Sequence, residues 1–397
     1  MTLQDSIVFF TEEAHSLSCL SLHCGDRQHL YSALGGVRNA KGDALEADSL
    51  FDLASLTKLF TSLLVMRLWE EGLLDLEAKV TRYAPRFVHL EGVTVSQVLG
   101  FEIALQSPRR VDAQADRAQG LRELFALTAS ANSGSRCYSD MHAMVLKYVI
   151  EGAAGETYLE ALKKRILAPL SMTEIFGTVP EEKRERCVSC DREHRIEGEK
   201  WILREGIVPG TPHDPKAHLL QTAEDVCGHA GLFGTAADLV KLCRGMLEEK
   251  IVSDSTLLDM ARNRTGHPLP GGGYTQYLGA QCYVRHPQQV HSEVPVYMSD
   301  RAIAMGGFTG HHLSVDPKTG IFVVSLGNRV LNRLTVCVPP EGKTIEDYGL
   351  LPDGRGQIRW TDGEIIWSSA RYVHLKDEHM HAAIMDTLGV PSRVGTK

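Results

Sequence analysis

The sequence predicts an α/β fold of the α+β type: an antiparallel sheet flanked by helices, with an all-helical lobe inserted into it. Three observations predict it. Strand-like segments around a turn open the chain. A long, mostly helical pattern runs from about Glu77 to Gly228. Strand patterning then returns after about Tyr274 and gives way to a terminal helix. A sheet built from both ends of the chain, with helices between, satisfies all three. The predicted organisation is a discontinuous sheet domain, residues 1–76 and 229–397, around a helical domain, residues 77–228.

The elements follow in order. Ser16–His23, Gly25–Asp26 and His29–Ala33 read as two strands around a turn. Leu56, Leu59, Phe60, Leu63 and Leu64 recur at helical spacing, so an apolar-striped helix follows Ser55, and Gly72 stops it. A further helix begins near Asp140 and includes Tyr148–Ile150, and Leu159, Leu162 and Ile166 mark another. Thr235-x-x-Asp238 caps a helix over Ala236–Glu248. Ala280–Arg285 and Val294–Met298 are candidate strands. His312–Asp316 and Ile321–Leu326 flank Asp316–Pro–Lys–Thr–Gly320, a strong hairpin turn. The tail closes with a helix over Lys376–Leu388. Trp360, Trp367 and Tyr372 read as packing groups.

Size and composition narrow the function classes. The chain has 397 residues, is 43% hydrophobic and carries a net charge of -8, which supports a large core. It has no basic run, which argues against a nucleic-acid partner. The N-terminus lacks the basic and apolar regions of an export signal, and no stretch approaches the ~18 apolar residues of a membrane span. Nine cysteines with no export signal read as free thiols, so the expected location is the cytoplasm. No cofactor and no membrane partner is expected, and oligomeric state is open.

Ser55-x-x-Lys58 is the first chemical candidate. On a helix the two side chains share one face, one turn apart. A desolvated Lys can take the proton of a neighbouring Ser hydroxyl, and free N–H groups at a helix start favour a developing oxyanion. The spacing alone equally fits a surface Ser and a solvated Lys. Cys187-x-x-Cys190-x-x-x-His194 has half the ligands of a zinc site, which Cys227 and His229 could complete only in space; the stretch around it, Glu181–Lys200, reads as a charged loop, and the expectation is no metal. Gly271–Gly–Gly273 lacks the ending of a phosphate loop and reads as a flexible connection.

Phe51–Asp–Leu–Ala–Ser–Leu–Thr–Lys58 resembles the nucleophile segment of the penicillin-binding-protein and class C β-lactamase family and its esterases. Glu71–Gly–Leu–Leu–Asp–Leu76, Ile166–Leu–Ala–Pro–Leu–Ser–Met172, Gly228–His–Ala–Gly–Leu–Phe233, Gly307–Phe–Thr–Gly310 and Asn328–Arg329 resemble further family segments, in the family's order, over roughly residues 20–335. The resemblance implies a β-lactamase/transpeptidase-like fold with Ser55 as nucleophile, Lys58 as its proton partner and Tyr138 as proton shuttle. Tyr138–Ser139–Asp140 stands where the family has Tyr-x-Asn. Asp140 departs from that motif and is expected to raise the pKa of Lys58, to hold a substrate amine, or simply to cap its helix. The literal Lys318–Thr–Gly320 lies in a turn and is a decoy. The family's Lys/His-Thr/Ser-Gly motif falls instead on Met305–Gly306–Gly307, which keeps the glycine and loses the cation and the hydroxyl. Gly307 and Phe308 are then expected to line the substrate site, with the Phe308 N–H as an oxyanion donor. His311 and His312 are either replacements for the lost polar groups or solvated strand ends. Gly100–Phe–Glu–Ile–Ala–Leu–Gln106 departs most from the family's loop beside the site.

These readings imply a serine hydrolase that forms an acyl-enzyme on Ser55 and cleaves a small ester or amide. An acyltransferase on the same site is an alternative, and so is a catalytically inactive binding protein of the same fold.

Overall fold

The computed structural model describes residues 1–391 apart from 133, 135 and 289–291. Its main sheet has six antiparallel strands in the spatial order Tyr283–Val284, Ile303–Gly307, His311–Asp316, Ile321–Gly327, Cys19–Gly25 and Leu30–Gly36. The N-terminal hairpin therefore pairs directly with the strand that follows the Asp316–Gly320 turn, Leu22 opposite Ser325. Lys318 sits in that turn with its side chain 56% exposed, near Asp300. Its chemistry is that of a solvated surface lysine.

Both faces of this sheet are covered. One face packs with the helical lobe through Ile303, Met305, Leu313, Val315 and Val324. The other packs against the N-terminal helix Leu3–Val8 and the terminal helix His381–Leu388 through Leu20, Leu22, Ala304 and Val323. Strand alternation explains the division, since Ala304 and Met305 must point to opposite faces.

The helix Thr57–Glu70 is buried nearly all round, rather than along one stripe as its spacing suggests. It lies between the sheet and the lobe, so its polar positions need partners inside the protein. Thr61 donates to the Gly228 carbonyl at 2.6 Å and Ser62 to the Ala280 carbonyl at 2.7 Å. Gly72, at φ +71°, ends it in a conformation that L side chains avoid. Helix Asp140–Ala154 begins where the sequence places it, and Ser139, not Asp140, supplies the cap, accepting from the Met141 N–H at 3.3 Å. Asp140 is thereby left free to face another partner.

Two strand assignments need correction. Val294–Met298 forms a turn, with the Met298 N–H donating to the Pro295 carbonyl at 3.0 Å. The alternation there is real, but Pro295 has no N–H for a ladder. Conversely, the charged stretch read as a loop contains the hairpin Glu193–Glu197/Lys200–Arg204. It joins Arg333–Val338, Ile365–Ser368 and Gln357–Arg359 in a five-stranded mixed sheet. Trp360 is buried in that sheet's own small core, and Trp367 lies against His15, as packing groups should.

Candidate functional site

Ser55 lies in a short 3-10 turn, Ala54–Leu56, that feeds the buried helix. Ala54 is held at φ +46°, a strained conformation for a residue with a Cβ. Asp52 holds it there: its buried carboxylate accepts the Ala54 N–H at 2.9 Å and the His213 N–H at 2.6 Å.

The lysine one turn along points back at the serine. Lys58 is fully buried, and its Nζ donates to Ser55 Oγ at 2.9 Å, to Asp140 Oδ1 at 2.8 Å and to the His229 carbonyl at 3.2 Å. Burial works to lower the Lys58 pKa, but the Asp140 carboxylate, with Tyr138, overcomes it and leaves the pKa above the ordinary lysine value. Burial raises that of Tyr138, against the pull of Lys58. The resting arrangement is thus an ammonium, a carboxylate and a neutral phenol around the serine hydroxyl.

Tyr138 is fixed from two sides. The N–H groups of Cys137 and Tyr138 both donate to Gln276 Oε1 at 3.0 Å. Its ring stacks between those of Phe101 and Tyr283, at centroid distances of 5.5 and 5.8 Å. Lys58 Nζ lies 4.9 Å from its ring centroid.

Asp140 is engaged at both carboxylate oxygens. Its second oxygen, Oδ2, accepts from Lys216 Nζ at 3.0 Å, so each oxygen already carries an ammonium. Beside it, Asp214 Oδ1 lies 2.8 Å from His229 Nε2. Asp140, Asp214 and His229 bring ligand atoms within 4.8 Å of one another, the one such group of three or more His, Cys, Asp or Glu among the described residues. Lys58 and Lys216 occupy the Asp140 oxygens with positive charge, so the donor set does not fit a metal cation. Cys187 and Cys190 are buried free thiols, and His194 packs edge-on against Trp360.

The strand Ile303–Gly307 passes close to the serine turn. A Cβ on Gly307 would stand 3.0 Å from His311 Cβ and 3.1 Å from the Leu53 carbonyl oxygen, so a side chain there would require its neighbours to give by a few tenths of an ångström. Phe308 follows, 39% exposed, its ring stacked on the His213 imidazole. Met305 is buried in the core that the sheet shares with the lobe, where it offers a substrate nothing.

His311 and His312 follow neither expectation: both are buried. His311 Nε2 lies 2.6 Å from the Asp52 carbonyl oxygen, and His312 lies against Glu293 and Ser314. Burial pushes both pKa values down to about 4, so both are neutral framework groups.

The structure therefore brings Ser55, Lys58, Tyr138 and Asp140 together, and sets Gly307 against the serine turn. Sequence reasoning misses Lys216, Asp214 and the bracing by Asp52 and Gln276. The available signal was Asp214–Pro215, an N-cap followed by a first-turn proline, which marks a helix start.

Comparison with known proteins bears on the fold and the family. A protein described as "Putative D-alanyl-D-alanine carboxypeptidase" from Escherichia coli (strain K12) is 24% identical over 358 residues, covering 82% of this chain and 81% of its own. Among solved structures, EstCE1, described as a hydrolase with promiscuous acyltransferase activity, superposes with a TM-score of 0.64 at 21% identity, over 82% of this chain and 92% of its own. The octameric penicillin-binding protein homologue from Pyrococcus abyssi gives 0.61 at 20% identity, over 82% of this chain and 72% of its own. Residues 15–335 match the family model described as Beta-lactamase, and the chain belongs to the β-lactamase family.

Proposed function

We propose that the protein is a serine acyl hydrolase that forms an acyl-enzyme on Ser55 and cleaves a small ester or amide. The observation that carries this reading is the 2.9 Å hydrogen bond between Lys58 Nζ and Ser55 Oγ, made by a fully buried lysine. A solvated surface lysine would have no reason to be held there.

The chemistry runs as follows. Lys58, once it has released its extra proton to solvent, takes the proton of Ser55 as Oγ bonds to the substrate carbonyl carbon. The negative charge on the carbonyl oxygen is received by the N–H groups of Ser55 and Phe308. Tyr138 passes its hydroxyl proton to the leaving alcohol or amine, the bond to that group breaks, and Tyr138 recovers a proton from Lys58. Water then repeats the sequence in reverse and releases the acid.

The strand beside the serine supports one substrate class over another. A substrate with a terminal carboxylate needs a cation, and Met305–Gly306–Gly307 supplies none. This favours a neutral ester or amide over the D-alanyl-D-alanine type of substrate named for the Escherichia coli relative. The acceptor need not be water, and the acyltransferase activity described for EstCE1 makes an alcohol acceptor a worthwhile comparison.

The test is intact-protein mass after exposure to a fluorophosphonate. A single adduct on the wild type, mapped to Ser55 and absent in Ser55→Ala, is the expected result. A folded wild type that takes no adduct, and turns over none of a panel of short-chain p-nitrophenyl esters and anilides, would leave the inactive binding protein as the better reading.

A further inference from the structure

We infer that Lys216 is a positioning residue of the acyl-transfer site: it shares the Asp140 carboxylate with Lys58 and so eases release of the Lys58 proton. The inference rests on the reading of Ser55 and Lys58 as nucleophile and base.

The geometry is specific. Asp140 binds Lys58 through Oδ1 at 2.8 Å and Lys216 through Oδ2 at 3.0 Å. One carboxylate thus bridges two ammonium groups that approach it from different parts of the fold. Lys216 is not a loose surface chain that happens to reach inward. Its own N–H and that of Ala217 both donate to Asp214 Oδ1 at 2.9 Å, and Asp214 is anchored in turn by His229. His229 supplies the carbonyl that accepts from Lys58. The two lysines are therefore braced by the same residue pair, and Lys216 is only 20% exposed.

The consequence is electrostatic. Asp140 facing Lys58 alone would lock it as an ammonium, the wrong form for a base. A second cation on the same carboxylate weakens that hold, because like charges disfavour each other's charged form. Of the other groups facing this cluster, His229 also acts on Asp140 by its charge, and the rest supply no second ammonium. Tyr138 is neutral, and burial pushes His142 down to about 4. Asp214 is a carboxylate shared with His229, Asp112 is a carboxylate paired with Arg110, and Tyr283 is a buried phenol. His229 is the remaining basic group, and Asp214 holds it through Nε2.

The test is the pH dependence of fluorophosphonate labelling at Ser55 for wild type, Lys216→Gln and Lys216→Arg, with exposed Lys163→Gln as a remote control. In Lys216→Gln the rising limb should move to higher pH by about one unit, giving roughly tenfold slower labelling on the limb. Arginine should restore it, and the control should match the wild type. A limb that stays in place, whether or not the rate drops uniformly, would reduce Lys216 to a structural partner and overturn the inference while leaving the functional reading intact. A wild type that never labels at Ser55 would overturn both.

Discussion

Asp52 ties the turn before Ser55 to the loop that carries His213, accepting the N–H of each from a carboxylate that solvent does not reach. Asn can accept from one of those N–H groups but must present its own donors to the other. Asp52→Asn should therefore cost about 1–3 kcal/mol of stability, the usual penalty for a buried unsatisfied group. It should also slow Ser55 labelling, because the Asp52 carboxylate accepts the N–H of the strained Ala54. Urea denaturation and labelling rates would check the two effects separately.

Asp140→Asn changes the site's proton balance in a defined direction. Asp140 raises the Lys58 pKa above its ordinary 10.5, so its removal should move the rising limb of labelling to lower pH. The stability profile should flatten at both ends. A raised Lys58 pKa contributes stability that is fully present below pH 10.5 and is lost as pH rises through the folded value. Burial opposes it, but Lys58, His229 and Lys216 hold Asp140 well below its ordinary 3.8. That contribution is present above pH 3.8 and is lost as pH falls through the folded value. Thermal unfolding measured from acid to alkaline pH should show both dependences weakened in the variant relative to the wild type.

Gly307→Ala tests how closely the strand must pass the serine turn. The new methyl would meet His311 Cβ and the Leu53 carbonyl at 3.0 and 3.1 Å, so the strand and the serine turn must move apart by a few tenths of an ångström. Labelling should fall by about 10²-fold, the order of effect expected when an oxyanion donor is displaced. Circular dichroism should be unchanged. Full activity in a folded variant would remove the Phe308 N–H from the mechanism.

Nitrocefin should be turned over slowly or not at all, since Met305 is buried in the core and gives its carboxylate no cation. Efficient hydrolysis, abolished in Ser55→Ala, would reverse the ranking of esters above β-lactams.

Behind the strand, Lys376 Nζ pairs with Glu293 Oε2 at 2.8 Å, with His312 on the same oxygen at 3.3 Å. Lys376→Met alone leaves a part-buried carboxylate with His312 but no ammonium and should cost up to about 3 kcal/mol. Adding Glu293→Gln should recover much of that loss, and the double-mutant cycle measures the coupling.

The parts of the site that sequence reveals are a local Ser-x-x-Lys pair and, through the family resemblance alone, Tyr138 and Asp140. Ser55 and Lys58 are one helical turn apart, and Tyr138 and Asp140 stand just before a well-marked helix. Lys216 escapes notice because its partner lies 76 residues away and nothing in Asp214–Pro–Lys216 points to it. The burial of His311 is equally invisible, because its acceptor is a backbone carbonyl 259 residues distant. The main sheet is legible from alternation and turn residues. The second sheet is not, because Glu193–His–Arg–Ile–Glu197 is charged and pairs in parallel with a strand far along the chain.

That second sheet bears on the order in which the molecule assembles. Its central strand, Arg333–Val338, pairs with Glu193–Glu197 on one side and Ile365–Ser368 on the other. Glu193 reaches out of it to within 3.1 Å of His213 Nε2, the residue whose backbone Asp52 holds. Such distant pairings close late, since the intervening loop must first lose its freedom. During synthesis the hairpin at 193–204 emerges long before its partners and waits with an open edge. The brace behind Ser55 is thus tied, through Glu193, to a sheet that is complete only when strands 333–338 and 365–368 have joined it.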